Sequence, residues 1–501
     1  MKLYLPFLFL LLAQVAAAQI ALTGQITDAA SGDPIIGATV SLKGAARGTI
    51  SDIDGRFRLE VPGEDAVLVF AYTGYLPQEI TVGKQLEIKV LLQENNSVLE
   101  EIVVVGYGAQ KRSSISGAVS SINAEEISEL PVLRTEQALQ GRVAGVSVAQ
   151  NSGSPGSPLT VRIRGTSSIG SSDPLYIVDG IPVGGLDFLN PNDIESINIL
   201  KDGASAAIYG ARGGNGVVLI TTKTGRKNQA GKISYDAYFG MQSPWKQTNL
   251  LSAREYGILS NEAHVAAGVK PLPEFANPAT LGEGTDWLGA IFNDAPMSSH
   301  QLSLNGGSEK GTYAISGNVF NQNGIVGGDK AGFQRYTVRA SGTNELKDWL
   351  TVGTNINFTS LTRNGLPENN EFVTPLARAL NMDPVTPVRK SDGTFAYSRY
   401  SDTDITNPVN AIEQTFDRWH SDRVVGLVFA EFKLMKGLSF RSSYNVDATF
   451  AKQDIFFPKF DLSNDPILAD APAGERRLVN SVVVNNNTWK NWQWENVLTW
   501  N

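Results

Sequence analysis

Three hydrophobic patterns divide the chain. The first is continuous: Leu3 to Ala13 is apolar behind Met1-Lys2, and Ala16-Ala17-Ala18 follows with small residues. This order predicts an export signal over residues 1–18, cleaved between Ala18 and Gln19. The run is short for a membrane span of about 20 residues and contains Pro6. No later stretch is apolar for long enough to form a membrane helix, so any membrane passage has to use strands closed into a barrel.

The second pattern is short strand-like runs over residues 19–93. Gly24–Thr27, Ala38–Leu42, Arg56–Leu59, Val67–Phe70 and Leu86–Leu92 are separated by turn signals such as Ser31-Gly32-Asp33-Pro34, Asp54-Gly55 and Pro62-Gly63. In the last run Leu86, Ile88, Val90 and Leu92 alternate with Glu87 and Lys89, which predicts one buried face. About seven strands in about 70 residues predict an Ig-like Greek-key sandwich. Asp52-Ile53-Asp54-Gly55 fails as a calcium loop, because Ile50 and Val61 occupy the first and last ligand positions, and reads as a hairpin turn.

Residues 94–108 begin with the linker-like Glu94-Asn95-Asn96-Ser97. Glu101-Ile102-Val103-Val104-Val105-Gly106-Tyr107-Gly108 follows. Four consecutive β-branched residues favour extended backbone. The run can be one more strand of a neighbouring sheet, or a detachable strand that adds to the sheet edge of another protein.

Residues 109–226 are glycine-rich and aromatic-poor. A short helix is predicted from Thr135 to Gly141 and another over Ala204–Gly210. Strands are predicted at Val146–Val148, Thr160–Arg164, Leu175–Val178, Ile197–Leu200 and Val217–Thr222, with a tight turn at Asp179-Gly180. These elements describe a mixed α+β domain.

The third pattern is period-two alternation in segments of roughly ten residues, beginning near residue 231. Ile233, Tyr235, Ala237, Phe239 and Met241 alternate with Ser234, Asp236, Tyr238 and Gly240. Leu438, Phe440, Tyr444, Val446, Ala448 and Phe450 alternate with Ser439, Arg441, Ser443, Asn445, Asp447 and Thr449. Period two places apolar groups on one face and polar groups on the other, in soluble and membrane sheets alike. Aromatic placement separates the two. Residues 231–501 hold 32 Phe, Tyr and Trp, including all eight Trp, against 8 in residues 19–230. Membrane barrels concentrate Trp and Tyr at the two interfaces. The Asn/Asp/Pro-containing interval 362–420 suits an extracellular loop.

Composition narrows the chemistry. A net charge of −8 argues against a nucleic-acid partner, which demands excess Lys and Arg. The absence of Cys excludes disulfides, thiolate metal sites and a lipoprotein anchor on this chain. No H-E-x-x-H, G-x-S-x-G or Walker A pattern is present, and the three His are isolated in sequence. No enzyme activity, metal or cofactor is expected.

Several ordered motifs together resemble one family. Leu139-Gln140-Gly141-Arg142-Val143-Ala144-Gly145-Val146, Ile163-Arg164-Gly165, Tyr176-Ile177-Val178-Asp179-Gly180-Ile181-Pro182, and Asp193 through Asp202 to Ile208-Tyr209-Gly210-Ala211-Arg212-Gly213-Gly214-Asn215-Gly216-Val217-Val218 resemble the plug domain of TonB-dependent outer-membrane receptors. With a sandwich that resembles the carboxypeptidase-regulatory-like domain in front, the chain resembles the SusC/RagA branch. The resemblance implies five segments: a signal over 1–18, the sandwich over 19–93, a linker and TonB box over 94–108, a plug over 109–226, and barrel strands over 227–501. It selects the detachable-strand reading and places a TonB box at Glu101 to Gly108.

The resemblance also implies import of an oligosaccharide or peptide across the outer membrane. The implied partners are the TonB energy transducer, a SusD-like surface lipoprotein and outer-membrane lipid, with the N-terminal domain and TonB box in the periplasm. Arg162, Arg164, Gly165, Asp179, Gly180, Lys201, Tyr209, Gly210 and Arg212 mark the plug motifs. Arg162, Arg164, Lys201 and Arg212 are expected to form ion pairs with the barrel wall rather than to bind cargo. Barrels of this family have about 22 strands, which need roughly 310 residues. The alternation supplies about eight, so the expectation is an incomplete barrel from the N-terminal part of a longer transporter. A secreted adhesion protein of tandem β-domains is the alternative, and it leaves the ordered plug motifs unexplained.

Overall fold

The computed structural model describes residues 20–29, 31–44, 47–72, 75–93, 102–105, 108–111, 119–128, 134–166, 170–370, 373–400, 406–461, 476–477 and 479–500. The signal, the 94–100 linker, and Glu101, Gly106 and Tyr107 of the expected TonB box lie outside these residues. The chain divides into two compact units after Ile102.

In the first unit, seven strands form two sheets. They are β1 (Ile20–Asp28), β2 (Thr39–Leu42), β3 (Gly48–Ile50), β4 (Arg56–Val61), β5 (Val67–Ala71), β6 (Gln78–Thr81) and β7 (Glu87–Leu92). One sheet runs β4-β1-β7 and the other β3-β2-β5-β6. Alternation decides the core: Phe57, Leu59 and Val61 from β4, Leu68 and Phe70 from β5, and Ile88, Val90 and Leu92 from β7 are buried together. Leu86 departs from expectation. It precedes β7 and is exposed, while its carbonyl accepts from the Thr23 N–H. The 52–55 turn also differs. Gly55 has φ 70° and its N–H bonds to Asp52 O, yet the flanking β3 and β4 belong to different sheets. The turn therefore carries the chain across the sandwich and is not a hairpin.

β8 (Ile102–Val105), whose first residue closes the first unit, and β9 (Gly108–Lys111) form a two-stranded pair. Next comes a mixed domain containing β10 (Val119–Asn123), β11 (Val146–Gln150), β12 (Leu159–Ile163), β13 (Leu175–Val178), β14 (Ile181–Val183), β15 (Ile194–Leu200) and β16 (Val217–Thr222). Five of them form one sheet in the order β10-β15-β16-β13-β14, while β11 pairs with β12. The unbroken apolar run of β16 is buried because this sheet is covered on both faces. Ile122, Ile197, Ile199, Val218 and Ile220 pack on one side. Ile177, Leu200, Val217 and Leu219 pack on the other, against the 203–206 helix.

The remaining strands are β17 (Lys232–Gln242), β18 (Ala295–Gly307), β19 (Gly311–Gly324), β20 (Gly328–Lys347), β21 (Leu350–Asn364), β22 (Phe416–Met435), β23 (Leu438–Phe457), the two-residue β24 (Phe460–Asp461) and β25 (Arg476–Arg477), and β26 (Ser481–Trp500). Eight of them form one antiparallel meander, β17-β18-β19-β20-β21-β22-β23-β26. Among the described residues β17 and β26 do not pair with each other, so this is an incomplete barrel. Four strands have 20 residues, about twice what a bilayer crossing needs.

The faces of this wall are inverted relative to a soluble sheet. Arg335, Thr337, Arg339 and Ser341 on β20, Asn357 and Thr359 on β21, and Ser443, Asn445 and Asp447 on β23 are buried. Their neighbours Tyr336, Val338, Ile356, Phe358, Tyr444 and Phe450 are exposed. A wall with a dry polar face and an accessible apolar face suits hydrocarbon on its outside. No helix of the described residues is long and apolar enough to cross a membrane.

Four connections are two or three residues long. Three of them, 308–310, 348–349 and 436–437, lie at one end of the wall, and 325–327 lies at the other. At the other end, residues 243–294 and 365–415 fold together. Trp287, Leu288 and Ile291 pack on Ala379, Met382 and Ile412, and Trp287 Nε1 donates to Asp383 O at 2.7 Å. The helix Ala253–Ala266 starts at a Ser252/Glu255 capping box, whose hydrogen bonds hold the Glu255 carboxyl below the usual range. Replacing Trp287 with Ala is expected to cost about 3–5 kcal/mol within this cap. Limited proteolysis would then cut within 365–415 first, with the wall strands still protected. Cleavage unchanged from wild type would show that the two connections do not depend on this contact.

Candidate functional site

The mixed domain lies against the buried polar face of the wall, and the site is the seam between them. Its centre is the segment between β14 and β15. Thr359 donates to Phe188 O at 2.9 Å, and Arg335 Nη1 donates to Asp187 O at 3.1 Å and Leu189 O at 3.4 Å. Arg423 makes two 2.9 Å bonds to the Asp447 carboxylate and a 2.7 Å bond to Asp187 Oδ1, with its guanidinium 4.5 Å from the Phe188 ring centroid. Gln301 bridges Asn190 and Asp193, donating to Asp193 Oδ1 at 2.8 Å. Burial pushes the Asp193 carboxyl up, against the nearby Arg339 charge and the Gln301 hydrogen bond.

A second contact is built around a turn. Asp179 and Gly180 have φ of 50° and 88°, the two positive values a two-residue type I′ hairpin demands between β13 and β14. The Asp179 carboxylate accepts from Thr222 N at 2.9 Å, Thr222 Oγ1 at 2.6 Å and Asn355 Nδ2 of the wall at 2.6 Å. Arg339 donates to Lys223 O at 2.8 Å and also to Thr222 Oγ1. Asp179 therefore ties the hairpin to the end of β16 and to β21 at once.

The other motif residues serve the mixed domain itself. Arg162 pairs with Asp173 at 2.5 Å, and this bond holds the Asp173 carboxyl below the usual range. Lys201 Nζ donates to Ala144 O at 2.9 Å. Arg164 and Gly165 follow β12 with φ of 56° and 92°, and the Arg164 side chain is exposed. Tyr209 packs on the Leu200/Val217 cluster, Gly210 has φ 60° inside a kinked helical segment, and Arg212 is exposed. The expectation of ion pairs from Arg162 and Lys201 to the wall is thus corrected: both find partners within their own domain. The cations that cross the seam, Arg335, Arg339 and Arg423, come from the wall. Their signal was present in the sequence, because a charge on the polar stripe of a transmembrane strand has to meet a partner inside.

Above the seam, a cavity of about 390 Å³ is lined by Arg134, Glu136, Tyr176, Asp187, Arg363 and Trp419, among others. Burial pushes the Tyr176 phenol up, so it stays a neutral donor. Gly156 reaches this wall with φ 67°, and a Cβ there would lie 2.1 Å from the Phe333 ring. Ser154 Oγ donates to Glu368 Oε2 at 2.7 Å, joining the mixed domain to the 365–415 connection. Among the described residues no cluster of His, Asp or Glu fits a metal ion.

A mixed domain held by hydrogen bonds inside an outward-apolar β-wall defines the class of plugged outer-membrane β-barrel proteins. The comparisons agree. Residues 111–217 match the TonB-dependent receptor plug domain, and residues 22–104 match the CarboxypepD_reg-like domain. A TonB-dependent receptor of Formosa agariphila is 36% identical over 473 residues, covering 93% of this chain and 46% of that protein. The TonB-dependent receptor SusC of Bacteroides thetaiotaomicron is 33% identical over 449 residues, covering 83% of this chain and 43% of that protein. The RagAB peptide importer in its open-open state aligns with a TM-score of 0.62 at 25% identity, over 79% of this chain and 55% of that one. The chain belongs to the SusC/RagA-type TonB-dependent receptors. It spans about half the length of the curated relatives it matches.

Proposed function

We propose that the protein imports a large nutrient, an oligosaccharide or a peptide, across the outer membrane, driven by TonB and without enzymatic chemistry of its own. The observation that carries this is the seam: a plug filling the polar side of a membrane-type wall through many separate hydrogen bonds, with apolar contact where Val425 and Leu427 of β22 join the plug core. Such a seal closes the pore at rest and yields when pulled. The long connections 243–294 and 365–415 face the outside, as in outer-membrane barrels, and the turns 308–310, 348–349 and 436–437 face the periplasm, the compartment of the N-terminal sandwich in this reading. The cap formed by those connections is the surface offered to a SusD-like lipoprotein, and the exposed apolar face contacts lipid. The adhesion alternative does not account for the buried polar face.

Glu101 to Gly108 is the TonB box in this reading. Of these residues, Ile102–Val105 are extended in β8 and Gly108 opens β9. Cargo bound over the plug frees this strand, which adds to the sheet edge of the energy transducer. These 501 residues contain no Cys, so an introduced thiol is unique among them. Val103→Cys is expected to form a disulfide with a cysteine placed in the TonB strand, more strongly when cargo is present. Cross-linking that appears only from positions outside 101–108 would remove this assignment.

A further inference from the structure

Phe333, Arg363 and Trp419 are direct cross-strand neighbours on β20, β21 and β22, on the same wall face as the plug contacts of Thr359. All three line the cavity above the seam. Among its other charges, Arg134 lies 3.5 Å from Glu136, Asp173 pairs with Arg162, and Arg423 is shared by Asp187 and the wall's Asp447. Arg335, set beside the cavity and bonded to carbonyl oxygens, offsets the second of those two carboxylates. Among the described residues no carboxylate lies within ion-pair distance of Arg363. The cavity therefore carries the uncompensated positive charge of Arg363. At its edge Arg134 Nε and Glu136 Oε2 face each other at 3.5 Å, an ion pair without a hydrogen bond.

We infer that this cavity takes the charged residue of an acidic oligosaccharide, a uronate or sulfated sugar, with Arg363 pairing to the anion and the ring of Trp419, backed by the buried Phe333, flanking the sugar. A guanidinium presents parallel donors that match a carboxylate or sulfate edge, and flat aromatic walls suit the C–H face of a pyranose. Ring hydroxyls meet Arg134 Nε and Glu136 Oε2, whose mutual contact leaves both without a hydrogen bond. A peptide carboxylate would satisfy Arg363 equally, but extended peptides are held by free backbone edges. The backbone of β20, β21 and β22 around the cavity is already engaged in its own ladders, which favours the sugar.

The inference rests on the import reading, yet the two fail separately, since binding here does not involve the TonB box. Purified protein in detergent is applied to an array of neutral, uronate-bearing and sulfated oligosaccharides together with neutral and acidic tetrapeptides. Binding is expected on the anionic glycans, falling at least tenfold for Arg363→Gln and much less for Arg363→Lys. Trp419→Leu should weaken the same glycans by about tenfold while leaving the thermal transition of the plug in place. Equal binding of neutral glycans, capture of the peptides alone, no binding to any glycan, or an Arg363→Gln protein that binds as wild type would each overturn it.

Discussion

Replacing Val104 with Pro is expected to abolish energised uptake while leaving cargo binding at the cell surface intact. The strand Ile102–Val105 is short, so augmentation by a partner sheet rests on a few backbone bonds, each worth about 1 kcal/mol net. Proline removes one donor and distorts the ladder around it. A weakened bond in a short, loaded ladder lowers the force the whole strand transmits, so uptake should fall by about tenfold or more. Val104→Thr keeps the donor and the β-branched shape and should transport normally, because the pairing reads backbone and not side chain. Uptake of radiolabelled cargo in cells, set beside binding to the same de-energised cells, separates the two steps. Wild-type uptake by the proline variant would remove the TonB-box assignment.

Arg423→Ala is the second large effect. The guanidinium is shared between the wall's Asp447 and the plug's Asp187, and both Arg423 and Asp447 are buried. Removing one partner of such a pair leaves an uncompensated carboxylate in a dry seam, at a cost of about 3–5 kcal/mol. The loss concerns the seating of the plug, so the variant should retain its wall and leak large hydrophilic solutes that wild-type cells exclude. A double variant, Arg423→Met with Asp447→Leu, replaces the wall pair with apolar groups of similar bulk and should recover most of the stability. Antibiotic sensitivity and thermal melting of the purified protein provide the two readouts. A melting curve within about 1 kcal/mol of wild type for Arg423→Ala would show that the seam does not depend on this arginine.

Elements with strong local signals were legible in the sequence. The runs Leu175–Val178 and Val217–Thr222 are the observed strands to the residue, since apolar β-branched segments bounded by Gly, Asp and Pro have few other solutions. The wall was legible from alternation, and its eight paired strands match the expected count. The helix at 253–266 was not foreseen, because its charged and apolar residues are spread around the helix and periodicity carries little information there. The 365–415 connection was anticipated as a long interval, but not its packing on 243–294, which depends on Trp287 meeting Met382 across about 95 residues of sequence. The seam was legible only in part. The plug motifs are local strings, whereas Arg339 or Arg423 gains its meaning from register: which side of a strand it occupies, and what lies opposite.

The packing of the two long connections has an immunological consequence. On the proposed orientation, an antibody or phage approaching the cell meets residues 243–294 and 365–415 as one body with a shared interior. Its recognisable surfaces are then discontinuous. Sera raised against linear peptides from either connection should bind the intact cell poorly, and an escape variant in one connection would alter epitopes formed by the other.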